Sequence, residues 1–256
     1  MTTGLDERVL AAAPALALTL SSDERARYLT HGERLIRRTH WEAARGFTLD
    51  DSVIDAIAAH AALLICGFEP ATDPYRDVTA VVVHGGTIVT NDTVQGPVRG
   101  VVSSAPRYLA GQSGHGRGPV VLDWRTAAPE IGRPAGGSNV VYHEFAHKLD
   151  QLDGVYDGMP PLGSTPARTA WQQTFGTNYR RLVRRGADPL IRGYAATNPA
   201  EYFAVTSELF FTRPLDLRRQ HPRVYTQLAS FYNQDPARRL GLDADPTQLS
   251  AEQLRP

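Results

Sequence analysis

Residues 139–150 read Asn-Val-Val-Tyr-His-Glu-Phe-Ala-His-Lys-Leu-Asp. The core of the stretch, His143-Glu-Phe-Ala-His147, is an H-E-x-x-H pattern. On a helix, positions i and i+4 share a face, so His143 and His147 can aim two imidazoles at one point. Those are two of the three protein ligands of a catalytic zinc. Glu144 is rotated about 100° from His143 around the axis. That places it beside a metal rather than on it, where it can take a proton from an activated water. The bare pattern also arises by accident in amphipathic helices, as in a metal-free helical domain. Tyr142 and Phe145 next to polar His143 and Glu144 speak instead for a buried helix with one functional face, running from about Ser138 to Leu152.

A two-histidine site needs a third ligand, and an anionic oxygen suits zinc. Downstream candidates are Asp150, Asp153, Glu201 and Glu208. Asp150 lies one turn beyond His147, where a short side chain is better placed to cap or orient a neighbour than to bind metal. Glu201 and Glu208 stand seven apart within Gly193–Phe211, on one face of an expected helix from Asn198-Pro199 to about Phe211. That face lies among Phe203, Val205, Phe210 and Phe211, and a carboxylate there is costly without a partner. Glu201 has two readings. It can be a metal ligand, ionised with help from the helix dipole. It can equally complete a capping box, because Asn198-Pro-Ala-Glu201 has the right residues and spacing. Glu208 is either a partly exposed carboxylate or a residue that supports a ligand.

Away from these motifs the chain is of ordinary globular composition. Its 256 residues are 42% hydrophobic and 21% charged, with 27 basic and 27 acidic residues. Zero net charge gives no electrostatic reason to expect nucleic acid or an anionic membrane as a partner. No apolar run is long enough to span a bilayer. Val9–Leu20 is apolar but lacks the basic leading segment of a secretory signal, so it is read as packing onto the domain through Leu16, Leu18 and Leu20. The single cysteine, Cys66, lies in an apolar run and is read as a buried thiol, consistent with a cytoplasmic protein.

The pattern predicts an α+β domain: mostly helices, a small mixed sheet, and the motif on a central helix. Ser21-Ser-Asp-Glu24 starts a helix expected to reach about His40, and Asp50 or Asp51 caps a second that ends at Gly67. Val78–Val83, Thr87–Val89, Val98–Ser103 and Pro119–Trp124 are strand-like, with a hairpin signal at Gly85-Gly86. Loops are expected over residues 111–118 and 126–138, and helices over Ala167–Arg185 and Pro222–Tyr232. One domain is expected over 1–256: a helical part to about residue 66, a catalytic core over 67–236, and a polar tail over 237–256. His31, His40, His60, His84, His115 and His221 show no paired spacing and are read as surface or capping residues.

Taken together, several stretches resemble the Mlc titration factor A family of zinc peptidases, whose catalytic domain is related to anthrax lethal factor. They are His143–Asp150 with Asp153-Gly and Pro160-Pro-Leu162, Asn198–Val205 with Ser207–Phe211, Pro119–Trp124, and Phe231-Tyr-Asn-Gln-Asp-Pro236. The resemblance spans roughly residues 14–236. It departs over 84–118, where His84-Gly-Gly stands in place of an aromatic-proline pair. The resemblance implies a zincin-type, gluzincin-like peptidase, with aminopeptidase action as its finer form, and one zinc per chain on His143, His147 and Glu201. It implies Glu144 as general base and Tyr194, seven residues before Glu201, as an oxyanion donor. Glu208 and Asp150 become supporting residues, Glu208 by fixing the tautomer of a ligand histidine. Substrates would be peptides or proteins, with Val120–Trp124 as a sheet edge for an extended chain. Because the name-giving member binds a transcriptional repressor, the alternative is a regulatory protein that sequesters such a regulator on a zinc scaffold.

Overall fold

The computed structural model describes residues 4–44, 46–86 and 118–241. Helix α1 (Gly4–Ala11) leads through a 3-10 turn at Ala15–Thr19 into α2 (Ser22–Arg38). The expected capping box forms: Ser21 Oγ accepts from Glu24 N–H, and the Glu24 carboxylate accepts from Ser21 N–H at 2.9 Å. Strand β1 (His40–Ala44) follows, then α3 (Asp51–Ile65), whose cap Asp50 accepts from Val53 N–H at 3.1 Å. Next come β2 (Ala80–His84), β3 (Val120–Asp123), α4 (Trp124–Ile131) and the motif helix α5 (Val140–Asp150). The chain continues through α6 (Thr165–Arg185), α7 (Pro199–Thr212), α8 (Pro214–Gln220), α9 (Pro222–Tyr232) and α10 (Pro236–Arg239).

The described strands form one sheet in the order β1-β2-β3, all parallel. His40 pairs with Ala80 and Ala44 with His84; Val81 pairs with Val120 and His84 with Asp123. The helical, small-sheet character is as expected, but the mixed sheet is corrected to a parallel one among the described residues. Parallel neighbours need crossovers, and α3 lies in the one between β1 and β2. β1 begins where the first helix was expected to end and was not foreseen, because His-Trp-Glu-Ala-Ala has little strand propensity of its own. Pairing with the Val-rich β2 imposes the extended form.

Other expectations are also revised. The loop expected over 126–138 begins with α4, which accommodates Pro129 inside it. α8 and α10 were not foreseen, and the chain packs onto the core where the polar tail was expected to begin. Pro236 and Ala237 are buried, Tyr225 O–H donates to Asp235 at 2.5 Å, and Arg239 reaches back to Glu24 at 2.8 Å. Leu16 is buried as expected, whereas Leu18 is exposed. Four histidines read as surface residues are interior: His31, His60, His84 and His221. Each has a ring nitrogen on an acceptor, on Phe68 O, Ala56 O, Gly86 O and Asp188 Oδ1 respectively. Thr87–Val89, Val98–Ser103, His115, residues 111–117 and the tail from 242 lie outside the described residues. No described helix is long and apolar enough to cross a membrane.

The core that carries the site is built around α7, whose side chains from Ala200 to Thr212 are all buried. Phe203, Phe210 and Phe211 pack against Tyr232 of α9, and Phe203 also meets Trp171 of α6, which stacks on Phe175 at 3.9 Å. α3 is nearly all interior, and the Cys66 thiol after it is buried, its pKa pushed up to about 12 by desolvation. Gly67 allows the end of α3 to meet the end of α9. A Cβ there would lie 2.1 Å from the Tyr232 carbonyl oxygen.

Asp150, at the end of α5, is fully buried and turns away from the ligand candidates. Its Oδ2 accepts from Gly158 N–H at 3.0 Å, tying down the loop after the motif helix, while Oδ1 has no hydrogen-bond partner. Gly158 O in turn accepts from the Trp171 indole at 2.9 Å. Burial raises the Asp150 pKa to about 7. Such an acid holds its proton more tightly folded than unfolded, so the folded state loses stability as pH rises from about 4 to the folded value. We expect Asp150→Asn to flatten that decline. Melting temperatures taken across this range should shift in the variant's favour toward neutral pH.

Candidate metal centre

α5 and α7 pack side by side, each presenting polar side chains to the other. Asn139 caps α5, its Oδ1 accepting from Tyr142 N–H at 3.1 Å. Glu130 of α4 adds a second cap, accepting from Val140 N–H at 2.7 Å. These caps set the register that brings His143 and His147 onto the α7 side. Asn198 caps α7, its Oδ1 accepting from Glu201 N–H at 2.9 Å. The two readings of this segment therefore divide between two residues. Asn198 caps, and the Glu201 carboxylate turns to the histidines.

The Nε2 atoms of His143 and His147 lie 3.1 Å apart. Glu201 Oε2 lies 3.0 Å from the first and 3.5 Å from the second. Ligands on one tetrahedral zinc, with bonds of about 2.0–2.1 Å, stand about 3.3 Å from one another. His143, His147 and Glu201 thus form a buried group that could hold a metal ion. Despite its short contacts, Glu201 Oε2 has no hydrogen-bond partner. Proximity without alignment is what atoms show when they share a third partner. A buried oxygen left unpaired is costly, and a cation removes that cost.

The electrostatics agree. Burial disfavours the His143 cation, but the nearby Glu201 and Glu208 carboxylates outweigh this and raise its pKa to about 10. Burial also disfavours the Glu201 anion, and the two histidines more than offset it, holding the carboxyl well below its usual range. The site therefore calls for positive charge among its carboxylates. Glu144 is buried beside the same histidines, and burial raises its pKa despite them. A carboxylate so placed is a better base than one in water.

Glu208 is 1% exposed and makes four contacts. His143 Nδ1 lies 2.7 Å from its Oε1, and the Asn139 N–H donates to Oε2 at 2.6 Å. Arg192 donates to both oxygens, at 2.9 and 2.5 Å. The pattern matches a carboxylate that orients a metal-binding imidazole through its far nitrogen. Nδ1 of His147 has no hydrogen-bond partner.

Two tyrosines flank the group. Tyr194 stands 5.9 Å from His143, ring centre to ring centre, and is 41% exposed. Tyr156 packs on His147 at 5.0 Å, its oxygen 3.1 Å from Nε2 of His147 and 3.4 Å from Glu201 Oε1. Burial first, and the Glu201 charge second, raise both phenol pKa values, so both hydroxyls keep their protons in the metal-free site. Sequence reasoning missed Tyr156, Arg192 and Glu130. Tyr156 lies past the glycine that breaks the helical register, so no spacing rule reaches it. Arg192 sits two residues before Tyr194 and carries no motif of its own.

The Glucose-regulated metallo-peptidase M90 family model matches residues 2–233. An uncharacterized protein of Synechocystis is 31% identical over 220 residues, covering 85% of this chain and 79% of that protein. Mlc titration factor A of Salmonella paratyphi A is 31% identical over 247 residues, covering 93% and 89% of the two chains. That of Edwardsiella ictaluri is 39% identical over 150 residues, 55% of each chain. These matches bear out the resemblance read from the motifs: the chain belongs to the glucose-regulated metallo-peptidase M90 family.

Proposed function

We propose that this chain is a zinc-dependent peptidase acting as one domain, with His143, His147 and Glu201 holding the metal and Glu144 as general base. The observation that carries the reading is the convergence of three ligand atoms, 3.0 to 3.5 Å apart, one of them a buried carboxylate oxygen with no hydrogen-bond partner. Zinc bound there would acidify a water and polarise the scissile carbonyl. The protein's own groups do the rest. Glu144 takes a proton from the water as its oxygen bonds to the carbonyl carbon, then returns it to the amine as the C–N bond breaks. Tyr194, still protonated, donates to the oxyanion. Glu208 keeps His143 in the tautomer whose Nε2 is free to bind. β3 is the last strand of the described sheet and is suited to pairing with an extended peptide. Cleavage from a free amino terminus is the finer form of this proposal.

A second reading, in which the chain acts by sequestering a transcriptional regulator, is favoured by the relatives named Mlc titration factor A. The two readings separate at Glu144. Glu144→Gln should keep fold and metal while peptide hydrolysis falls about 10²–10⁴-fold. A regulatory effect that survives in this variant would make binding the function. Elemental analysis of the purified chain should find about one zinc per molecule, the share a single three-ligand site takes. His147→Ala should lose it with the helical circular dichroism intact, and a chain without metal in either form would sink the peptidase reading.

A further inference from the structure

The loop after α5 carries a group that the mechanism above leaves unused. Gly154 (φ 87°) and Gly158 (φ 76°) bracket Val155-Tyr-Asp157. The far end is fixed: Gly158 N–H is held by Asp150, and a Cβ on Gly158 would lie 2.2 Å from the Pro199 carbonyl oxygen. Pro199 opens α7 two residues before Glu201. The loop is therefore pinned to the helix that supplies the third ligand. Tyr156 projects from its middle, 40% exposed, with its ring against His147.

We propose that Tyr156 is a fourth protein ligand of the resting metal centre, one that substrate displaces. This rests on the peptidase reading and extends it. The phenol oxygen stands 3.1 Å from Nε2 of His147 and 3.4 Å from Oε1 of Glu201, the oxygen beside the ligand atom Oε2. Neighbouring ligands on one zinc are about 3.3 Å apart, and the spacing of the phenol oxygen from His147 Nε2 is of that size. The contact to Nε2 cannot persist as a hydrogen bond once that lone pair is on a metal. The hydroxyl then faces the ion, and its proton leaves to solvent as the oxygen binds. Tyr194 approaches His143 by its ring, and its hydroxyl interacts with the Glu201 carboxylate. Exposure of Tyr156 and the glycines on either side leave it free to swing out when a peptide carbonyl and water need the position.

Copper(II) in place of zinc gives a direct readout, because a phenolate on copper produces a visible charge-transfer band. The copper-loaded full chain should show the band; Tyr156→Phe should lack it, and Tyr194→Phe should keep it. Zinc affinity, measured by competition with a chromophoric chelator, should fall about tenfold or more in Tyr156→Phe. A peptide hydroxamate, which takes metal positions itself, should bleach the wild-type band. Unchanged zinc affinity in Tyr156→Phe together with no band in wild type overturns the proposal while leaving the peptidase reading intact. So does a band lost in Tyr194→Phe instead, or one that hydroxamate leaves untouched. Stoichiometric zinc, no band and hydrolysis lost in Tyr156→Phe would make the phenol an oxyanion donor instead. A wild-type chain that takes up no metal overturns both readings.

Discussion

The Glu208 carboxylate is the tie on which the site depends. It sits inside α7 with almost no exposure, yet it accepts from the start of α5, from His143 and from Arg192 ahead of Tyr194. One buried anion thus fixes three segments that sequence keeps far apart. Such a group is tolerated in an aromatic core only because every contact satisfies it, and removing one partner of a buried pair costs about 3–5 kcal/mol. Its pKa shows the same balance: burial pushes it up, and His143 and Arg192 bring it below the usual carboxylate range.

Around this tie the fold supplies rigidity from two sides. Trp171, Phe203, Phe210 and Tyr232 hold α7 in place through stacked and edge-on ring contacts. The caps Asn139 and Glu130 hold the start of α5. A metal site needs its ligands positioned before the ion arrives, and packing of this kind fixes rotamers that exposed side chains would sample freely. The loop of Tyr156 follows another rule. Its ends are pinned and its middle is open, a combination suited to a side chain that changes position.

How much was legible beforehand depends on the range of the signal. The helix around His143 and His147, the cap at Asn198 and the start at Ser21 were readable, because capping and i,i+4 geometry are local. Glu201 was readable as one of two things; Asn198 caps the helix, and the Glu201 carboxylate faces the histidines. β1 was not readable, since His40–Ala44 becomes a strand only by pairing with β2. The four interior histidines were misread because a lone histidine gives no sign of the backbone acceptor it will find.

The sequence by itself determined the side-chain types and the periodicity: two imidazoles and a carboxylate on one helix, and two carboxylates seven apart on another. Tertiary structure alone decided that Glu201 meets the histidines, that Glu208 grips His143, that Asp150 holds a loop rather than a ligand, and that Tyr156 arrives at the site. Helical spacing fixes which side chains of one element share a face. Which elements face each other is settled by burying the aromatic core and satisfying its polar groups, and that information is spread over the whole chain.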